Sequence, residues 1–345
     1  MAKRRSSGGL VRLTDILVYL VVRIAICVIQ SLSIERGVAF ARGLGWCCGQ
    51  VLKIRHRTVT ENLQTAFPDS SAEWRRQVEC QSWRHLFTMV VEIAHAPRLI
   101  HDATWRNHVA LSNQEMRETV RRLLSDRPVL IVTGHLGNFE LGGVMLGMLG
   151  FPSYTIARKI DNPYLDRFVN RFRGSTGQYI LAKNGQFDRI MAVVDAGGTL
   201  SFLADHHAGP HGCKVHYFGR RASAHKVIAI FSMEHRAPIV VCGTVRQETA
   251  SGHPIPMKFR MCVEAIHEPE ERTDTVRGVT QWYTDQIESM VRRYPTQYWW
   301  LHRRWRDEGG PRPVVAKENP EGKRSGKNST ETEGATDETR TVSGR

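Results

Sequence analysis

The chain has 345 residues and a formal net charge of +14, with 41% apolar side chains. That is enough for one large domain or two small ones and for a sizeable core, and it excludes a small disulfide-stapled scaffold. Seven cysteines without a C-x-x-C pair point to reduced thiols, as in a cytosol-facing protein.

The charge is uneven. Residues 1–60 hold ten Lys/Arg against Asp15 and Glu35, a local excess of +8, whereas 306–345 hold eight basic and eight acidic residues. Basic residues beside an apolar segment suit an anionic membrane surface. A nucleic-acid partner is not expected, because no recognition motif accompanies the charge.

From the N-terminus, Leu13–Leu32 is a mostly apolar stretch of 20 residues. It is about long enough to cross a bilayer. Arg23 at its centre counts against insertion, and no small-residue cleavage site follows it. A membrane span, an interfacial or re-entrant anchor and a buried core helix remain open for it. Residues 34–67 read as a second, basic amphipathic helix ending at Phe67-Pro68-Asp69. In 71–100, Trp74, Val78, Trp83, Leu86, Phe87, Val90 and Val91 recur at helical spacing.

The pattern then changes. Residues 128–133 form a short apolar strand that runs into Gly134-His135-Leu136-Gly137-Asn138-Phe139-Glu140, with a Gly-containing helix to about Leu149. Further strands are expected at Ser153–Ala157, Gln178–Leu181, Thr199–Ala204, Val215–Phe218, Pro238–Gly243 and Met257–Glu264, with helices near 162–173, 186–196, 223–235 and 274–294. The alternation predicts an α/β fold around a mixed sheet. From Glu308 the chain is polar and charged, and it is expected to be disordered.

The strongest chemical signal is His135-x-x-x-x-Glu140 directly after a strand. Open α/β sheets place their sites at the carboxyl ends of strands. Glu140, in the first turn of the next helix, is expected to bond the far imidazole nitrogen and make the other a better base. The bland alternative is a loop histidine and a glutamate that merely suits a helix N-terminus. A second cluster, Asp205-His206-His207-x-x-x-His211-x-Cys213-x-x-His216, offers metal-ligand residue types without a tight tetrahedral spacing. It makes a metal-dependent hydrolase the rival enzyme. A non-enzymatic membrane-binding protein is the rival outside enzymes. The third cluster, Tyr294 to Trp305, reads either as an aromatic closing segment covered by arginine stems or as a site for anionic lipid.

Taken together, these pieces resemble the bacterial lipid A late acyltransferases (lauroyl/myristoyl transferases), with the phosphatidylinositol mannoside acyltransferases as similar relatives. The shared pieces run in order from residue 10 to about 306: the apolar N-terminus; Arg57-x-x-x-x-Asn62-Leu63 and Ala66-Phe67-Pro68; Glu92; Gly134-His135-x-x-x-x-Glu140; Arg158-x-x-Asp161-Asn162-Pro163; Arg173; Asp205-His206-x-x-Gly209; Phe218-Gly219; and Pro295-x-Gln297-x-x-Trp300-x-His302-Arg303-Arg304-Trp305.

The resemblance implies a glycerolipid-acyltransferase-like mixed sheet flanked by helices. A membrane anchor is expected at 1–33 and an acyltransferase domain at 34–306, helical over 34–125 and α/β over 126–306, with the tail at 307–345. The implied donor is an acyl-carrier-protein or acyl-CoA thioester, and the implied acceptor is an anionic glycolipid such as a lipid A precursor. His135 is the implied general base with Glu140 orienting it. Arg158, Arg173, Asp205, Asn138, Arg303 and Arg304 are the implied substrate-binding or oxyanion residues. No metal or cofactor is implied, and a covalent acyl-enzyme is not indicated without a G-x-S-x-G elbow. The expected location is the inner, cytoplasmic membrane, with the catalytic domain facing the cytoplasm.

Overall fold

A computed structural model describes residues 8–111, 113–182, 185–250, 253–270 and 275–306. The tail expected at 307–345 lies outside the described residues. Five helices lead in: α1 (Gly8–Ser31), α2 (Ile34–Trp46), α3 (His56–Ala66), α4 (Ala72–Leu99) and, after a short strand β1 (Val109–Leu111), α5 (Asn113–Leu123). The alternating part follows: β2 (Val129–Thr133), α6 (Phe139–Met148), β3 (Ser153–Ala157), α7 (Pro163–Gly174), β4 (Gln178–Ala182), α8 (Phe187–Asp195) and β5 (Thr199–Leu203). After it come β6 (Cys213–Tyr217), β7 (Arg220–Ala224), α9 (Val227–Glu234), β8 (Ile239–Glu248), β9 (Pro254–His267) and α10 (Val276–Arg293).

Seven strands form one mixed sheet in the order β1-β9-β8-β2-β5-β3-β4. All neighbours are parallel except β8 and β9. The mixed sheet flanked by helices is as expected from sequence. β6 and β7 pair only with each other, as an antiparallel hairpin. That hairpin trims the helix expected near 223–235: Ser223 and Ala224 close β7, and α9 begins only at Val227. The Arg-Arg-Ala-Ser-Ala sequence of β7 carries no strand-favouring side chain, and pairing with β6 decides its conformation.

The expected single helix over 34–67 is also two helices. The chain passes through a short π-helical stretch at Cys47–Val51 and then left-handed backbone at Lys53 and Arg55 before α3 begins. Asn62 explains why the break is needed. Its buried amide donates to the Trp300 and His302 carbonyls at 2.7 Å each, so α3 must turn back under the closing segment.

Each central strand is buried on both faces. Leu130 and Val132 of β2 join one apolar cluster with Leu200, Ile228 and Ile239, while Val129 and Ile131 join the other with Leu141 and Val240. Apolar runs of this kind are what a parallel sheet covered by helices requires. The helix caps follow the sequence. Ser71 accepts from the Trp74 amide to start α4, and Asn162 accepts from the Tyr164 and Leu165 amides with Pro163 in the first turn of α7.

Candidate active site

The site is built at the carboxyl edge of the sheet. β2 and β5 are parallel and in register, with Thr133 opposite Leu203. His135 lies two residues beyond Thr133, and Asp205 lies two residues beyond Leu203. The same register therefore carries them side by side. The Asp205 carboxylate accepts from the His135 backbone N–H through Oδ2 at 2.9 Å and meets His135 Nδ1 through Oδ1 at 2.8 Å.

An ionised carboxylate only accepts, so the imidazole holds its hydrogen on Nδ1 and keeps its lone pair on Nε2. Burial alone would raise the Asp205 carboxyl. The hydrogen bonds from the His135 side chain and backbone, the pull of His135 whenever it is protonated and the nearby His206 outweigh burial and hold that carboxyl well below the usual range. Asp205 is thus an ionised carboxylate in a buried position.

This corrects the expectation for Glu140. Its carboxylate does not reach the far nitrogen of His135. It forms a two-pronged pair with Arg173 of α7, Arg173 Nε to Oε2 at 3.0 Å and Arg173 Nη2 to Oε1 at 2.6 Å. The local backbone is the cause. Gly137 takes φ +60°, and Asn138 caps α6, accepting from the Leu141 amide. The helix then starts with Phe139 against the His135 ring, 4.8 Å between centroids, and Glu140 turned towards α7. Only glycine fits at 137, because an added Cβ would stand 2.0 Å from the Thr244 carbonyl oxygen. The loop is held on both sides, since Gly137 donates to the Gln297 carbonyl and Trp299 donates to the His135 carbonyl.

The other expected site residues separate. Asn138 is fully buried, its amide donating to Glu92 Oε2 at 3.1 Å, which makes it a helix cap rather than a ligand. Arg304 is also buried. Its Nη1 donates to the Ser223 carbonyl at 2.9 Å, and its guanidinium lies over the Tyr217 ring. The fold directs this arginine into the core, away from any headgroup. Arg303 is exposed. Arg158 is exposed and paired with Asp161 at 2.9 Å.

Sequence reasoning missed a stack of imidazoles. His206 lies flat on His135, 3.8 Å between centroids and 4° between planes, and His302 stacks on His206 at 3.8 Å and 16°. Burial, with smaller contributions from His135 and Arg304, outweighs Asp205 and lowers His206 to about 4. Burial, His206, Arg304 and His135 likewise outweigh Asp205 and lower His302 to about 4. Both rings are neutral near pH 7. Trp299 closes another side of His135 at 5.9 Å.

His135, Asp205 and His206 bring possible metal ligands within 4.8 Å of one another. The stack argues against a shared ion. A metal bound to a ring nitrogen lies about 2.0–2.1 Å away along that nitrogen's lone pair, and so in the ring plane. The planes of His135 and His206 are parallel and do not meet, so one ion cannot satisfy both.

Behind Phe139, between α5, α6 and the sheet, an apolar pocket is lined by Val120, Leu123, Leu146, Leu149 and Phe151. The histidine, its buried carboxylate and this pocket together suit proton abstraction from a hydroxyl beside a bound apolar chain.

The model of the bacterial lipid A biosynthesis acyltransferase family matches residues 9–307. The lipid A biosynthesis lauroyltransferase of Escherichia coli K12 is 25% identical over 278 residues, covering 78% of this chain and 85% of that protein. The lipid A biosynthesis palmitoleoyltransferase of the same strain is 24% identical, covering 74% of this chain and 80% of that protein. A lipid A biosynthesis acyltransferase of Shigella flexneri is similar to the same extent. With nearly all of the described fold inside the matched region, this chain is an acyltransferase and belongs to the bacterial lipid A biosynthesis acyltransferase family.

Proposed function

We propose that the protein transfers a fatty acyl chain from an acyl-carrier-protein or acyl-CoA thioester to a hydroxyl of a lipid A precursor, with His135 as general base. The observation that carries this reading is the 2.8 Å contact between His135 Nδ1 and the Asp205 carboxylate. In the proposed reaction Nε2 takes the proton of the acceptor hydroxyl, and the oxygen attacks the thioester carbonyl. The carbon–sulfur bond breaks, and the thiolate leaves with the proton that His135 had taken. Asp205 stabilises the imidazolium formed between these steps. The acyl chain occupies the apolar pocket behind Phe139. The Glu140–Arg173 pair sets a guanidinium at the edge of the site, where it can meet the developing oxyanion or an acceptor phosphate. Exposed Arg303 adds positive charge for an anionic glycolipid, and Arg158 would exchange Asp161 for a phosphate to do the same.

The reading includes action at the inner membrane from the cytoplasmic side. Arg12–Ser31 of α1 has a mean hydropathy of 2.1 and no buried residue. Its Asp15, Tyr19 and Arg23 share one face. The Asp15 carbonyl accepts from Asn162, Tyr19 packs on Tyr164, and Arg23 lies over Phe168 at 4.7 Å. Near its other end Gln30 donates to the Ala94 carbonyl at 2.6 Å. A helix bonded to the body near both ends lies along it. Leu13, Leu17, Val21, Ile24 and Val28 then face outward, as suits an interfacial anchor better than a span.

The test is mass spectrometry of membrane lipids from cells with and without the protein, together with transfer by the purified enzyme. One added acyl chain on a lipid A precursor supports the reading. An acyl chain added to a phosphatidylinositol mannoside instead would keep the chemistry and replace the acceptor. No transfer to either would overturn it.

A further inference from the structure

A second pocket, about 270 Å³, lies among α2, α4, the end of β8 and the closing segment. Its wall carries Arg42, Arg84 and Arg246, with Glu248 as the sole carboxylate among its lining residues. Arg246 is neutralised from behind. Its Nε and Nη2 donate to the Glu92 carboxylate at 2.6 Å each, and its Nη1 donates to His85 Nδ1 at 2.7 Å. His85 Nε2 meets the Gly137 carbonyl at 3.1 Å. Burial and Arg246 hold the His85 pKa well below its ordinary value, so it is neutral and adds no charge.

Arg42 and Arg84 have no such partner. Neither forms an ion pair among the described residues, and Arg84 Nε is buried without a hydrogen-bond partner. Burial, Arg84 and Arg246 together lower the Arg42 pKa. Glu248 forms no ion pair with Arg42 or Arg84 among the described residues, and its Oε1 faces the Gln297 amide at 3.5 Å. Half-buried cations facing one another are costly in a fold unless an anion completes them. Guanidinium groups match the oxygens of a phosphoryl group in charge and in fork geometry.

We propose that this pocket binds a phosphoryl group through Arg42, Arg84 and Arg246. It is separate from the His135 site and lies behind the 134–138 loop. Its ligand class is a phosphate ester, borne either by a lipid headgroup or by the carrier arm of the acyl donor. Through Arg246, His85 and the Gly137 carbonyl, the bound phosphate braces the loop that carries His135. The bland alternative is that Arg42 and Arg84 are solvated packing residues with no anion to bind.

The experiment uses the full chain in neutral detergent at low salt, with inorganic phosphate as probe and thermal unfolding as readout. Phosphate should raise the wild-type Tm saturably. Arg84→Gln and Arg42→Gln should each weaken that response at least about tenfold, as expected for one charge-assisted hydrogen bond. Without phosphate, Arg84→Gln should melt no lower than wild type, because it removes a repelling cation. An absent phosphate response, or one unchanged in both variants, overturns the proposal. So does a lowered Tm of Arg84→Gln without phosphate when its phosphate response is intact. The source is read from three further measurements on the same variants. A raised KM for the phosphorylated acceptor alone, or weaker binding to phosphatidylcholine vesicles containing phosphatidic acid, assigns the site to lipid. A raised KM for the acyl donor assigns it to the carrier arm. Phosphate binding needs no turnover, so this test stands apart from that of the acyltransferase reading.

Discussion

Asp205 holds His135 twice, its Oδ1 on Nδ1 at 2.8 Å and its Oδ2 on the backbone N–H at 2.9 Å. One carboxylate thus sets both the tautomer of the imidazole and the position of its main chain. Asp205→Asn keeps the shape but offers a neutral amide to Nδ1. Its kcat should fall by about 10³–10⁴, as in other histidines deprived of their orienting carboxylate. His135→Ala should abolish transfer while leaving the circular dichroism spectrum unchanged. An Asp205→Asn enzyme within about tenfold of wild type would remove Asp205 from the mechanism.

Glu140 acts on Arg173, so the two should behave as one unit. Glu140→Ala should lower activity by about 100-fold, and Arg173→Ala by a similar factor. The double variant should be little worse than either single one, because residues in one ion pair are not additive. Losses that multiply would show that Glu140 works independently of Arg173.

Acid should loosen the fold through the stacked histidines. The folded pKa values of His206 and His302, about 4, lie below the ordinary 6.5. Between those limits the unfolded chain binds more protons, so stability falls as pH drops from about 6.5 to about 4. His206→Phe retains a flat ring and cannot titrate, and it should reduce the slope of Tm against pH in that window. Parallel Tm profiles for the two proteins would contradict this account.

Membrane attachment should depend on the outward face of α1. Val21→Glu with Ile24→Glu should release much of the protein into the soluble fraction, whereas high salt alone should release little, since apolar burial is not screened. Deleting residues 1–33 should leave partial binding, because Phe40, Trp46, Leu52 and Ile54 remain exposed beyond it. Flotation on vesicles measures all three. Complete release by salt would point to charge alone.

Gly137→Ala should unfold the active-site loop. The new Cβ would clash with the Thr244 carbonyl at a backbone angle that alanine tolerates poorly. Strain of this kind costs about 1–3 kcal/mol before the clash is counted. Loss of both activity and Tm is expected, and a fully active Gly137→Ala enzyme would show that the loop relaxes freely.

Much of the fold is legible in short stretches of chain. Apolar runs and turn residues, which are local properties, marked β2 to β5, the helices between them and the position of His135 at a strand's end. The ordered motifs from the apolar N-terminus to Trp305 carried the family. The sequence did not determine which carboxylate serves His135. Glu140 is near in the chain, but the left-handed turn at Gly137 and the Asn138 cap aim it at Arg173. Asp205 is 70 residues away, and only the pairing of β2 with β5 brings it to the imidazole. Which strands become parallel neighbours is settled across long crossover connections, between segments far apart in the chain. The same holds for the His206–His302 stack, for Arg304 turning inward, and for the meeting of Arg42, Arg84 and Arg246, each assembled from segments distant in the chain. Residue types and local periodicity are written in the sequence, whereas the partners of charged groups are decided by which elements pack together.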